Sequence, residues 1–265
     1  MVKVVITGIG GKVGNAILGL ALKDKDIEVI GTTEAKGHPL IGKDIAQGLG
    51  EMEKPIIVSD DLSHLIGMCD VVVDFTQPEP SFEHFRIARS AKKAIVIGTT
   101  GFPQTAIDEI NNSKNARVVI SPNMSIGMNI MFDVVERVAR TLSDDYDIEI
   151  VEMHHKWKKD APSGTAMKIK DVIEKALPEK DWIEVFGRKG NTGERKNEEI
   201  GIMTLRGGDV VGEHTAIFAG IGERLEVTHR AYSRENFARG ALVAAKWIAV
   251  RPDGIYSMKD VLGLG

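Results

Sequence analysis

The chain has 265 residues, enough for one large or two ordinary domains with a sizeable core. Its 34 Lys and Arg against 38 Asp and Glu give a net charge of −4, with 43% apolar residues, a balance without the basic excess of a nucleic-acid-binding surface. The single cysteine, Cys69, excludes an internal disulfide and leaves no Cys/His spacing for a zinc site, and no stretch approaches the roughly 20 apolar residues of a membrane span.

Taken in chain order, Lys3 precedes a short apolar run that enters a Gly-rich loop at Gly8, which reads as a first strand rather than a secretion signal; the cytoplasm is the expected setting. Apolar, β-branched runs predict strands near 2 to 7, 27 to 33, 55 to 59, 70 to 75, 93 to 98 and 116 to 120. Amphipathic stretches predict helices over Val13 to Leu22, Ser81 to Ala91 and Gln104 to Asn112. That alternation describes βαβ units around a parallel sheet, an α/β doubly wound, Rossmann-type domain. The runs at 71 to 73 and 94 to 98 have no polar face, as expected of strands covered on both sides.

After Asn123 the pattern changes. Ile126 to Leu142 is a long amphipathic helix, Asp147 to Met153 alternates polar and apolar, and Ser163 to Leu177 is helical. Strands follow over Glu199 to Leu205, Val211 to Ala219 and Arg224 to His229. This succession predicts a second, α+β domain with a mixed or antiparallel sheet. The expected boundaries are 1–125 for a dinucleotide-binding domain and 126–233 for a substrate-binding and oligomerisation domain, with the C-terminal segment 234–265, opening on a helix from Arg234 to Ala249, packing back on the first.

Strand 1 runs through Gly8-Ile9-Gly10-Gly11-Lys12-Val13-Gly14 directly into a helix. Glycines at 8, 11 and 14 allow a tight turn, close backbone approach to a pyrophosphate and close helix packing, while the helix N-terminus offers N–H groups to the anion. Glu34 ends strand 2 about 20 residues beyond Gly14, the separation at which a carboxylate accepts hydrogen bonds from the adenosine ribose. A Gly-rich turn beside a solvent-facing Glu is the bland alternative. A carboxylate repels a 2′-phosphate, whereas Lys12 and Lys36 offset that charge, so both NADH and NADPH are expected as cofactors with NADH slightly favoured. A rival loop, Gly37 to Lys43, matches Walker A spacing up to its lysine, but Asp44 stands where the Mg²⁺-binding hydroxyl is needed. Gly98-Thr99-Thr100 and Ser121-Pro122-Asn123-Met124 follow strands 5 and 6 at the sheet edge where ligands collect, as candidates for the nicotinamide half or as ordinary turns.

The densest chemical signal is Glu152-Met153-His154-His155-Lys156-Trp157-Lys158-Lys159-Asp160-Ala161-Pro162-Ser163-Gly164-Thr165. If the strand continues regularly, His154 and His155 face opposite ways and have separate jobs. An imidazole exchanges protons near neutral pH, and a nearby Lys adds fixed positive charge. Ser163 suits an N-cap, so Ser163, Gly164 and Thr165 open a helix whose N-terminus fits a substrate carboxylate, and all three are candidates to bind it. A solvated basic loop with a structural His pair is the competing interpretation. No metal site is expected, because adjacent histidines lack a third ligand at suitable spacing.

With these segments, together with VVDFTQPE at 72 to 79, VIGTTGF at 96 to 102, SPNMSIGMN at 121 to 129, GDVVGEHTAIF at 208 to 218 and GERLEVTHRAYSRENFARGA at 222 to 241, the chain resembles the 4-hydroxy-tetrahydrodipicolinate (dihydrodipicolinate) reductase family over nearly its whole length. The resemblance implies NAD(P)H-dependent reduction of a cyclic imine dicarboxylate in diaminopimelate and lysine biosynthesis, and a homotetramer built on the second sheet. It implies that His154 is the general acid/base and Lys158 the second proton donor, while His155, Gly164 and Thr165 hold the substrate. It also implies cofactor contacts from residues 8 to 13, Glu34, residues 98 to 100 and residues 121 to 124. Ala35 stands where NADPH-adapted members often carry Arg, which argues against strict NADPH use, and Met124 stands where Phe is common. Two other functions remain open: a different two-domain NAD(P)-dependent dehydrogenase of amino or keto acids, and a regulator that senses NAD(P)H without turnover.

Overall fold

The computed structural model describes residues 1–46, 55–142 and 145–264, and these divide into two compact units, Met1–Ile126 with Arg234–Gly265, and Gly127–Ser233. In the first, β1 (Val2–Thr7), β2 (Ile27–Thr33), β3 (Val58–Ser59), β4 (Val71–Asp74), β5 (Ala94–Ile97) and β6 (Arg117–Ile120) form a parallel sheet with α1 (Lys12–Ala21), α2 (Pro78–Ser90) and α3 (Gln104–Asn111) in the connections. The spatial order is β3-β2-β1-β4-β5-β6, so the chain reverses direction across the sheet between β1 and β4. This α/β, Rossmann-type doubly wound order opens a ligand crevice at the carboxyl ends of those two strands.

The short apolar strands are buried throughout β4 and β5, as their unbroken hydrophobic runs require. Gly14, Ile17, Leu18 and Ala21 form the inward stripe of α1. They pack with α6 (Glu235–Ile248), which buries Ala238, Ala241, Leu242, Ala244, Ala245 and Ile248 in the same core. Gly240 lies so close to the Met124 carbonyl that a Cβ there would sit 1.7 Å from its oxygen.

The second unit holds α4 (Ile126–Leu142), β7 (Asp147–His154), α5 (Gly164–Ala176), β8 (Ile183–Val185), β9 (Glu199–Arg206), β10 (Gly212–Gly220) and β11 (Glu223–Ala231). Its sheet is mixed, ordered β11-β10-β7-β9-β8: β10 is antiparallel to β7 and β11, and β9 is parallel to β7 and β8. Alternate residues of β7 and β10, among them Ile148, Ile150, Ala216 and Phe218, pack with Met128, Met131, Val135, Ile169 and Ile173 of the two helices.

Several elements depart from sequence expectation. The third strand contracts from 55 to 59 to its last two residues. Helix α2 begins at Pro78 rather than Ser81, because proline lacks the N–H that the first turn leaves unpaired anyway. Periodicity over three to five residues is too short to detect, so β8, β12 (Gly254–Tyr256, paired with β6) and the terminal helix α7 (Met258–Leu262) escape prediction.

Candidate functional site

The first unit presents the glycine loop as a cradle that side chains would close. Gly8 has φ 72°, and a Cβ there would meet the Phe75 carbonyl oxygen at 2.8 Å; at Gly14 it would meet the Gly8 oxygen at 2.2 Å. Helix α1 is capped by Gly11 without any side-chain hydrogen bond, which suits an external anion. Glu34 reaches this loop: its Oε2 accepts from the Gly10 N–H at 2.7 Å. Gly8, Gly11, Glu34, Lys36, Gln77 and His84 are among the residues lining one cleft of about 450 Å³. Ile9 turns its side chain into the core and offers only backbone, while Lys12 is exposed and Val13 half-buried.

Of the two loops after β5 and β6, Gly98 carries the Phe75 ring against its backbone, at 2.2 Å from where a Cβ would be. Thr99 is buried and Thr100 exposed. Ser121 bridges to the Asn123 carbonyl at 2.8 Å, and the Asn123 side chain accepts from the Ser125 N–H at 2.9 Å, while Pro122 is exposed. Met124 is a core residue at 1% exposure.

In the second unit the catalytic candidates gather around a residue that sequence reasoning did not single out. Alternation along β7 puts Glu152 and His154 on the inward face with Ile148 and Ile150. Glu152 is fully buried. It accepts hydrogen bonds from His154 Nδ1 at 2.6 Å, from Arg206 at 2.8 and 3.0 Å, from the Thr204 hydroxyl at 3.1 Å and from the Ser163 N–H at 3.0 Å. Burial pushes the Glu152 pKa up, but the hydrogen bonds of His154 and Arg206 outweigh it and hold the carboxyl down at about 2. An ionised carboxylate can only accept, so Nδ1 of His154 carries a proton and Nε2 is the nitrogen free for exchange. That nitrogen sits over Gly212, where a Cβ would approach to 3.0 Å.

His214 stands edge-on to His154 at 5.2 Å between ring centroids and meets the Ser163 hydroxyl through Nε2 at 2.9 Å. Burial, reinforced by the charge of His154, pushes its pKa down to about 3, so it is neutral at ordinary pH. Ser163 caps α5 by accepting from the Ala166 N–H at 3.1 Å, and a Cβ at Gly164 would meet nothing within 4 Å, leaving open space at the helix start beside Thr165. Lys158 forms an ion pair with Asp160 at 2.7 Å, and this hydrogen bond lowers the Asp160 pKa.

The strand does not continue through His155. It ends at His154, and His155 packs its ring beside Trp157 with a buried Nδ1 that has no hydrogen-bond partner. The residues missed by sequence reasoning had a signal: Glu152 lies two residues before His154 on an alternating strand, and His214 shares the period-two face of Ala216 and Phe218. Among the described residues no group of three or more His, Cys, Asp or Glu is arranged to hold a metal ion, and no helix is long and apolar enough to cross a membrane.

Comparison with known proteins matches both units. Residues 2–124 fit the family described as dihydrodipicolinate reductase, N-terminus, and residues 127–262 fit its C-terminus. The 4-hydroxy-tetrahydrodipicolinate reductases of Syntrophus aciditrophicus and Aquifex aeolicus are each 49% identical, with 99% of both chains covered. A dipicolinate-bound dihydrodipicolinate reductase from Paenisporosarcina sp. TG-14 superposes with a TM-score of 0.78 at 26% identity, over 99% of this chain and 100% of that one. Matched by both family models and by relatives along its whole length, the chain belongs to the dihydrodipicolinate reductase family, whose members are nicotinamide-nucleotide-dependent oxidoreductases.

Proposed function

We propose that this chain reduces 4-hydroxy-tetrahydrodipicolinate to tetrahydrodipicolinate with loss of water, serving diaminopimelate and lysine biosynthesis. The observation that carries the proposal is the buried Glu152–His154 pair beside the open start of α5, in a chain whose full-length relatives bear that enzyme's name. A proton-exchanging imidazole and a helix N-terminus are what a ring dicarboxylate that must be protonated requires. When bound, a reduced nicotinamide would supply the hydride for reduction at ring C4 of the dehydrated, conjugated imine.

The chain's own groups then complete the chemistry. His154 holds its transferable proton at Nε2, with Nδ1 fixed by Glu152, and acts as general acid/base toward the electron-rich product of hydride addition. Lys158 is the second proton donor and, on leaving Asp160, a cation for a substrate carboxylate. His155, Gly164 and Thr165 complete the dicarboxylate grip, and Ser163 contributes by fixing the start of α5. Cofactor contacts are assigned to Gly8, Ile9, Gly10, Gly11, Lys12, Val13 and Glu34, to Gly98, Thr99 and Thr100, and to Ser121, Pro122, Asn123 and Met124. Those from Ile9 and Met124 come from backbone, since their side chains lie in the core. The Glu34 carboxylate followed by the neutral Ala35 favours NADH, with NADPH also accepted. A homotetramer joined through the second unit's sheet and a cytoplasmic location complete the proposal.

The test is loss of the reduced-nicotinamide absorbance with NADH or NADPH on imine generated freshly from pyruvate and aspartate semialdehyde. Turnover with both cofactors, faster with NADH, is the expected result. Binding of NADH with no turnover of fresh imine would replace the enzyme by a sensor.

A further inference from the structure

A second buried carboxylate, outside the catalytic segment, organises the cofactor unit. Asp74 ends β4 with no exposed surface, and four side chains converge on it. The Thr7 hydroxyl, at the end of β1, donates to Oδ2 at 2.7 Å, and the Thr99 hydroxyl, after β5, donates to Oδ1 at 2.8 Å. The Thr76 hydroxyl lies 3.1 and 3.2 Å from the two oxygens, and its N–H donates to Thr99 Oγ1 at 2.9 Å. His84, one turn and a half into α2, brings Nδ1 to Oδ2 at 2.6 Å. One carboxylate thus ties together the loops that leave three adjacent strands at the edge where the ligand crevice opens.

The His84 ring joins this hub to the cleft that also holds the glycine loop and Glu34. Its side chain is 16% exposed. With Nδ1 committed to Asp74, Nε2 is the ring nitrogen left for a ligand, and His84 lines the cleft together with Thr76, Gln77 and Pro80. Glu34, Lys36 and Asp60 line the same cleft. Burial works to raise the Asp74 pKa, but the hydrogen bond and charge of His84, then the surrounding hydroxyls, outweigh it and keep the carboxyl ionised.

We propose that Asp74 is a positioning residue for cofactor binding, which orients His84 so that Nε2 hydrogen-bonds the adenosine half of the dinucleotide. The proposal rests on the reductase reading only for the identity of the ligand. A purely structural Asp74 would serve the fold whether or not His84 were present; the positioning role acts through that ring, and this difference is measurable.

Titration of the full-length protein with NADH and with ADP-ribose, which keeps the adenosine half and lacks the nicotinamide, compares wild type with D74N, H84A and the double variant. Loss of a charge-assisted hydrogen bond predicts roughly tenfold weaker binding of both ligands in each single variant. The double variant should be no weaker than H84A alone. A full further loss on adding D74N to H84A, or unchanged binding in H84A, would overturn the proposal. Should D74N not fold, nitrogen-15 spectra of wild type against H84A decide: a His84 Nδ1–H signal that shifts on adding ADP-ribose supports the assignment, and one indifferent to it rejects it. Wild type that binds neither ligand would instead sink the cofactor reading itself.

Discussion

Asp74 and Glu152 solve one problem in two ways. Each is a carboxylate with no exposed surface near the end of a central strand, and each holds a histidine by Nδ1 at 2.6 Å. Around Asp74 the other donors among the described residues are threonine hydroxyls from three strand ends and the Thr76 N–H, and His84 is the partner able to carry a charge. Around Glu152 a forked guanidinium from Arg206 is present as well, with a backbone N–H from Ser163. A buried carboxylate needs compensation either way. Arg206 supplies a fixed positive charge to Glu152, so the carboxylate does not depend on His154 for its compensation. Where no arginine is present, the carboxylate is bound instead by hydroxyls and the ring nitrogen, an arrangement that suits fixing a ring in a binding wall.

The largest expected effects test whether the second unit is the chemical one. His154→Ala or Lys158→Ala should cut turnover by about 10² to 10⁴, the usual worth of a general acid, in steady-state assays at saturating NADH. Neither change should alter binding of ADP-ribose, since both residues lie in the second unit and the proposed cofactor cleft is in the first. An unaltered rate in Lys158→Ala would remove that residue from the chemistry.

Next in size is the acid dependence that Arg206 and His154 impose through Glu152. A carboxyl held at about 2 when folded, against an ordinary 4.5, contributes stability that is complete above 4.5 and is lost as pH falls toward 2. The full difference corresponds to about 3 kcal/mol. Urea unfolding followed from pH 6 to pH 2.5 should show wild type losing most of that increment while Glu152→Gln, less stable at pH 6, shows a flatter profile. Parallel profiles would mean that the carboxylate is not ionised in the fold. Glu152→Gln should also slow turnover, by roughly tenfold or more, because an amide does not hold Nδ1 protonated as a carboxylate does.

Smaller still is the effect expected at the proposed cofactor cleft. Glu34→Ala removes the acceptor for ribose hydroxyls, and NADH should weaken roughly tenfold, the worth of about 1.4 kcal/mol. NADPH should weaken less, because the same change removes a repulsion from its 2′-phosphate. Equal losses in paired titrations would reject the ribose assignment.

The two units also differ in how much of them the sequence revealed. Fully buried parallel strands such as Val71–Asp74 and Ala94–Ile97 are bounded by glycine and charge, so their positions were legible almost to the residue. The glycine loop was legible because its chemistry is local, turn and helix start following one another along the chain. The hubs were not, because they are made by register: Thr204 and His214 flank Glu152 only once β9 and β10 pair with β7 at Thr204↔Glu152 and His214↔Glu152. Asp74 ended an otherwise apolar run, and a lone charge in such a run was a hint of a buried hub that only Thr7, Thr99 and His84, remote in sequence, could explain. His155 misled because an extended pattern says which way a side chain points only while the strand lasts, and the Lys158 N–H bonding back to the His155 carbonyl at 3.1 Å turns the chain there.

The smallest prediction separates Ser163's two roles. Its hydroxyl caps α5 through the Ala166 N–H and also touches the neutral His214. Ser163→Ala forfeits a cap worth about 1 kcal/mol, and it leaves the buried His214 Nε2 without a partner, which adds a cost of similar order. Ser163→Thr keeps an oxygen for both bonds and should recover most of the loss. If Ser163 serves the substrate only by fixing the start of α5, the alanine variant should lose this stability in urea titrations while its KM for the imine rises by no more than a few fold. A far larger rise in KM with little change in unfolding would place the hydroxyl on the substrate itself, and the cap would then be the secondary role.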